Sequence, residues 1–305
     1  MIPLTAGFAT TGQGAGPLVL TQRAGLFAKH GLDVQIRLMG SALGVVRGLL
    51  AGEIQFGNLA APALLRSVLR DKTDLVFLTG GINQQFLMGR PEIRSRAELT
   101  GARIGFAGDG GINDVLVQFI VEELEKEGIR GLQLIRAAAS GRGRIERLLE
   151  GETDAEVITP PESVTALRKG CKIVIDFAEY GLNFALGGIG ARRSYVEAHE
   201  DIARKFVRAY VEGMHRYRTD RDFTVTVQAE YSGIEDRSIA EETYDTTQPG
   251  MPKAPYPVTR ALGVALRVMS KALPEAADAD PRNFVDDRFV RELEESGFIR
   301  ALYGE

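Results

Sequence analysis

Polar, glycine-rich clusters recur at the turns of a chain that alternates strand and helix. Thr10-Thr11-Gly12-Gln13-Gly14, Gly40-Ser41, Gly57-Asn58 and Gly80-Gly81-Ile82-Asn83 form one set. Gly108-Asp109-Gly110-Gly111, Ser140-Gly141-Arg142-Gly143 and Thr159-Pro160-Pro161 form a second. Glycine lets backbone N–H groups approach a ligand, and a helix start turns partial positive charge toward it. The chemistry on offer is noncovalent recognition of a small polar molecule. Any one of these loops alone is an ordinary cap or turn; their recurrence in two blocks carries the functional reading.

Other chemistries find weaker support. Gly12-x-Gly14-x-Gly16 superficially matches a dinucleotide loop, but its spacing is wrong, and Asp33 stands at the start of the second strand where the ribose-binding acid belongs at its end. The segment Gly105 to Gly111 has no Lys for a phosphate loop, and no G-x-S-x-G nucleophile elbow occurs. A single Cys171 and three scattered histidines, His30, His199 and His215, cannot assemble a Cys/His zinc site. Cys171 reads as a structural thiol at a strand entrance, and Glu122-Glu123 and Glu241-Glu242 as solvated helix faces. Neither cofactor nor metal is expected.

These loops need a frame. The chain has 305 residues, 44% hydrophobic and 26% charged, with net charge −4, which suits a folded protein of two lobes. Mixed charges give no basic stripe for nucleic acid, and no apolar run is long enough to span a bilayer. The opening Ile2-Pro3-Leu4-Thr5 lacks the basic start and apolar core of a signal peptide. Strands are expected at 4–8, 33–38, 54–57 and 75–78, with helices at 18–27, 43–50 and 61–69 between them. A second block repeats that grammar from 103 to 175, and helices dominate from Tyr195 onward. The order strand, helix, strand implies parallel sheets with crossover helices. The Pro-dense stretch 249–257 reads as a surface connection.

Several stretches then carry a resemblance: Ala24-Gly25-Leu26-Phe27-Ala28-Lys29-His30-Gly31-Leu32-Asp33-Val34, Leu50-Ala51-Gly52-Glu53-Ile54-Gln55-Phe56-Gly57, Arg94 to Gly101, Leu148-Leu149-Glu150-Gly151-Glu152-Thr153-Asp154-Ala155, and Phe284-Val285-Asp286-Asp287-Arg288-Phe289. Over nearly its whole length the chain resembles the type II periplasmic substrate-binding proteins of ABC importers, in the group binding nitrate, sulfonates, taurine and thiamine precursors. The resemblance implies an α/β fold of two lobes, each a mostly parallel sheet flanked by helices. Two crossover hinge strands would join them, with ligand held in the cleft. Lobe 1 is then expected at 1–87 plus 188–305 and lobe 2 at 88–187, with Phe86 to Arg90 and Phe184 to Ile189 as hinges.

The expected ligand contacts are Thr11, Gln13, Ser41, Asn58 and Asn83 from the first lobe and Gly110, Gly111, Ser140, Arg142 and Thr159 from the second. Tyr180 would pack on the ligand, unless it is a core tyrosine. Helix starts and Arg142 favour a sulfonate or carboxylate; Asp109 and Asp114, if aimed inward, would favour a donor or cationic ligand such as an aminopyrimidine. The expected partners are this small molecule and a membrane permease, without nucleic acid, for a monomeric binding protein that performs no catalysis. An enzyme on the same fold is the alternative. The resemblance places it in the periplasm, or lipid-anchored outside the membrane with its export signal trimmed; a cytoplasmic relative is the other reading.

Overall fold

The computed structural model describes residues 1–108, 111–136, 141–182 and 187–305, with the backbone alone at 141 and 142. Ten strands are defined among them: β1 (Ile2–Phe8), β2 (Leu32–Leu38), β3 (Phe56–Ala60), β4 (Leu75–Phe77), β5 (Phe86–Gly89), β6 (Arg103–Phe106), β7 (Gln133–Arg136), β8 (Ala155–Ile158), β9 (Lys172–Asp176) and β10 (Gly187–Arg192). They form two five-stranded sheets, ordered β2-β1-β3-β10-β4 and β7-β6-β8-β5-β9. The two orders are the same pattern written twice.

In each sheet one strand runs against the rest. β10 is antiparallel to β3 and β4, and β5 is antiparallel to β8 and β9. These are the two strands that the chain enters from the other lobe. Strands joined through a crossover helix emerge parallel, whereas a strand reached from outside the sheet carries no such constraint.

The first lobe holds α1 (Gly16–Arg23), α2 (Leu26–Lys29), α3 (Ala42–Ala51) and α4 (Ala61–Asp71), and the second α5 (Ile112–Lys126), α6 (Gly141–Glu150) and α7 (Glu162–Arg168). After β10 come α8 (Arg193–Ala198), α9 (Glu200–Thr219), α10 (Arg221–Ser232), α11 (Arg237–Thr247), α12 (Thr259–Met269), α13 (Arg288–Glu295) and α14 (Phe298–Leu302). The single helix expected at 18–27 is two, because Gly25 takes φ 69° and ends the first. The apolar face of α9 closes the first lobe: Phe206 stacks on Phe56 at 3.9 Å and on Phe27 at 4.8 Å.

The expected hinge at Phe86 to Arg90 needs correction. Phe86 and Leu87 already pair with Ile158 and Val157 of the second sheet, so the first crossing lies at 78–85 and the boundary at 87/88 cuts β5. Of the second expected hinge, 184–186 lie outside the described residues. Gly188 is needed there for close approach. A Cβ on it would fall 1.9 Å from the Thr79 carbonyl oxygen, so the two crossings run backbone against backbone. The Pro-dense stretch is more than a surface connection, since the Pro255 carbonyl accepts the Gly80 N–H at 2.7 Å and steadies the first crossing.

Candidate functional site

Ligands of open parallel sheets collect beyond the strands' carboxyl ends. At the end of β1 the chain turns through a short 3-10 helix, and Gln13 on it is 2% exposed. Neither its Oε1 nor its Nε2 has a partner. Buried amides are almost always hydrogen-bonded, so this exception singles Gln13 out as a candidate ligand contact. Gly14 sits beside it with the Asn83 side chain packed close, where a Cβ would meet the Asn83 Oδ1 at 2.3 Å, so the first crossing lies against the β1 loop.

Two residues that sequence reasoning missed hold that loop. Tyr231 Oη donates to the Gly12 carbonyl at 3.1 Å, and Ser232 Oγ to the Thr11 carbonyl at 2.7 Å. Both stand at the end of α10, far along the chain, where no local signal links them to residue 12.

The remaining candidates of the first lobe divide. Asn58 is buried in β3, flanked by Phe8 of β1 and Ile189 of β10. Thr11 is exposed. Ser41 caps α3, its Oγ accepting the Gly44 N–H at 3.0 Å, which leaves its hydroxyl proton and one lone pair for other work.

In the second lobe Gly111 starts α5 and Thr159 follows β8, its carbonyl accepting the Ser163 N–H at 3.0 Å. Gly110, Ser140 and the Arg142 side chain lie outside the described residues. Two arginines unanticipated from the sequence stand at the same edge. Arg136, ending β7, donates to the Gly108 carbonyl at 3.2 Å, and Arg144 of α6 to the Val157 carbonyl at 3.2 Å. Asp114, the acid that would have favoured a cationic ligand, turns its Oδ1 back to the Gly108 N–H at 2.9 Å; Asp109 lies outside the described residues.

Tyr180 does not join this group, which corrects its expected role. Its ring meets Phe119 edge-on at 5.2 Å and its hydroxyl donates to Glu127 at 3.3 Å, near the far end of α5. It is half-buried at the edge of the core. Cys171 is buried ahead of β9, and burial pushes its thiol up, away from the reactive thiolate. Among the described residues no group of three His, Cys, Asp or Glu could hold a metal ion. Nor is any helix among them long and apolar enough to cross a membrane.

A polar clasp joins the lobes through the last residue of α7. Arg168 of α7 meets Asp236 at 2.8 Å and Ser238 at 2.8 Å, and pairs through both Nε and Nη2 with Glu242 of α11. Exposed pairs contribute little each, so Arg168→Ala is expected to weaken ligand affinity by roughly two- to fivefold, with the difference fading at high salt. Titrations at low and high ionic strength check this; an effect indifferent to salt would count against the clasp.

A family model described as NMT1/THI5 like matches residues 14–220. The taurine-binding periplasmic protein of Escherichia coli (strain K12) is 24% identical over 293 residues, covering 91% of this chain and 90% of that protein. Among solved structures, the periplasmic aliphatic sulphonate binding protein SsuA from Escherichia coli aligns with a TM-score of 0.78 at 16% identity, over 94% of this chain and 92% of that one. The desulfurization enzyme DSZB aligns with a TM-score of 0.67 at 17% identity, over 97% and 99%. At these identities the structural likenesses show a shared fold.

Proposed function

The chain belongs to the NMT1/THI5-like family, and from that premise we propose that it is the solute-binding component of an ABC importer, holding one small organic anion between its lobes. The observation that carries this reading is Gln13, a buried amide with no partner at the mouth of the first sheet. Its polar atoms gain their hydrogen bonds when a ligand arrives. Arg136, Arg144 and the start of α5 at Gly111 support an anion, and Asp114 is committed to its own loop. The taurine and sulphonate relatives support a sulfonate or carboxylate.

In this reading Thr11, Gln13, Ser41, Asn58 and Asn83 line one wall, with Gly110, Gly111, Ser140, Arg142, Thr159 and the added Arg136 and Arg144 on the other. The lobes are 1–85 with 187–305, and 86–182. In this reading the ligand leaves unchanged. The protein then works in the periplasm and hands its ligand to a membrane permease. A thermal-shift screen of sulfonates, carboxylates and heterocyclic amines tests the ligand class. A ligand at a hundred times its Kd stabilises by roughly 2.7 kcal/mol, so sulfonates or carboxylates are expected to raise the melting temperature. Stabilisation by the heterocyclic amines alone would overturn the anion reading.

A further inference from the structure

Gln228 of α10 is 0% exposed, and Tyr217 of α9 is 1% exposed. The Tyr217 hydroxyl donates to the Gln228 Oε1 at 3.0 Å. Burial pushes that hydroxyl well above its usual range, so it keeps its proton and remains a donor. The bond fixes which end of the Gln228 amide is left over: Nε2, a donor, which has no partner.

Two sets of contacts place this amide against the β1 loop. Gln228, Tyr231 and Ser232 stand at i, i+3 and i+4 and share one face of α10. Tyr231 and Ser232 hold the Gly12 and Thr11 carbonyls at 3.1 and 2.7 Å. On the other side the Tyr217 ring packs on the start of α1, where a Cβ on Gly16 would fall 2.6 Å from its Cε2 and 3.2 Å from its Oη. Gln228 therefore faces the segment 11–16, and Gln13 is the buried polar side chain within that segment whose Oε1 and Nε2 both lack partners.

The unpartnered atoms of the two amides are complementary. The donor on Gln228 and the acceptor on Gln13 can satisfy one another, which leaves the Gln13 Nε2 over as a donor. We propose that Tyr217 and Gln228 are positioning residues that complete a one-way hydrogen-bond relay when ligand binds, Tyr217 Oη giving to Gln228 Oε1, Gln228 Nε2 to Gln13 Oε1, and Gln13 Nε2 to an anionic oxygen of the ligand. This rests on the anion-binding reading above and names what turns the donor end of Gln13 toward the ligand. Without the relay the Gln13 amide is free to present either end, and a carbonyl oxygen facing an anion repels it.

Two matched pairs test the relay by calorimetry: ethanesulfonate against ethanesulfonamide, and propionate against propionamide. The unaltered protein is expected to prefer the anion of at least one pair by about tenfold or more, since a hydrogen bond to a charged acceptor is the stronger one. Tyr217→Phe frees the Gln228 amide to turn. Adding Gln228→Met removes the relay and replaces both bonded partners by apolar groups of similar shape, a change that costs the fold little. In the double variant, affinity for the preferred anion should fall about tenfold while that for its amide changes less than about threefold, with Tyr217→Phe between it and the parent. The single variant carries the same test should the double variant not fold. A merely structural role would weaken both members of a pair alike. That result, or an unchanged preference, overturns the relay and leaves the anion reading standing. An unaltered protein that prefers the amides, or binds neither pair, overturns both.

Discussion

Arg147→Ala is expected to cost about 3–5 kcal/mol of folding stability, the loss that follows when one partner of a buried ion pair is removed. Glu156 of β8 is 1% exposed, and its Oε1 takes the Arg147 Nε at 3.0 Å, the Arg147 Nη2 at 2.9 Å and the Thr153 hydroxyl at 3.1 Å. It lies flat against β6, where a Cβ on Gly105 would fall 2.1 Å from that same oxygen. Burial already pushes the Glu156 carboxyl above its usual range despite Arg147.

The pH dependence follows from that direction. A carboxyl whose folded pKa is raised binds its proton more readily folded than unfolded, so its contribution to stability falls as pH rises through the window between the two values. Removing Arg147 widens the window upward. Urea unfolding at pH 5 and pH 7.5 should therefore show the larger deficit at pH 7.5. A loss under about 1 kcal/mol, or one equal at both pH values, would contradict the pairing.

Gln13→Leu is expected to weaken ligand binding by roughly ten- to hundredfold while leaving the ligand-free protein as stable as before or more so. The two effects have opposite signs because the amide's Oε1 and Nε2 are buried without partners in the free chain. Leucine removes their desolvation cost at similar volume and also removes the hydrogen bonds they would give a ligand. Thermal melts and calorimetry on the same preparation separate the two. Lowered stability with unchanged affinity would make Gln13 a packing residue.

Much of this fold was legible in the chain because local rules govern it. Gly52 after α3 and Pro62 inside α4 punctuate the βαβ units where capping chemistry predicts. The glycine-rich loops marked the ends of strands, and at Gly14 the Asn83 side chain packs close against the backbone. Long-range matters were not legible. Phe86-Leu87-Met88 reads as a strand, yet nothing local says which sheet will take it. Gly188 falls within an expected hinge, whereas it serves a close approach to Thr79.

At the site the same divide holds. Gln13 and Asn83 could be named from turn chemistry, but Tyr231 and Ser232 reach the β1 loop from α10, and only the fold brings them there. Arg136 and Arg144 look like ordinary surface arginines until the carboxyl edge of the second sheet is drawn. Tyr180 misled because its closeness in sequence to the second crossing says nothing of its distance from the cleft; Phe119 and Glu127 hold it elsewhere.

The central claim is reversible binding of one small anion per chain, and one titration tests it most directly. Calorimetry with the best-stabilising sulfonate or carboxylate should give a single site per chain. The ligand recovered afterwards from the protein should be chemically unchanged after prolonged incubation at catalytic ratio. Recovery of an altered ligand, such as one that has lost its sulfur group, would contradict the account and make this chain an enzyme.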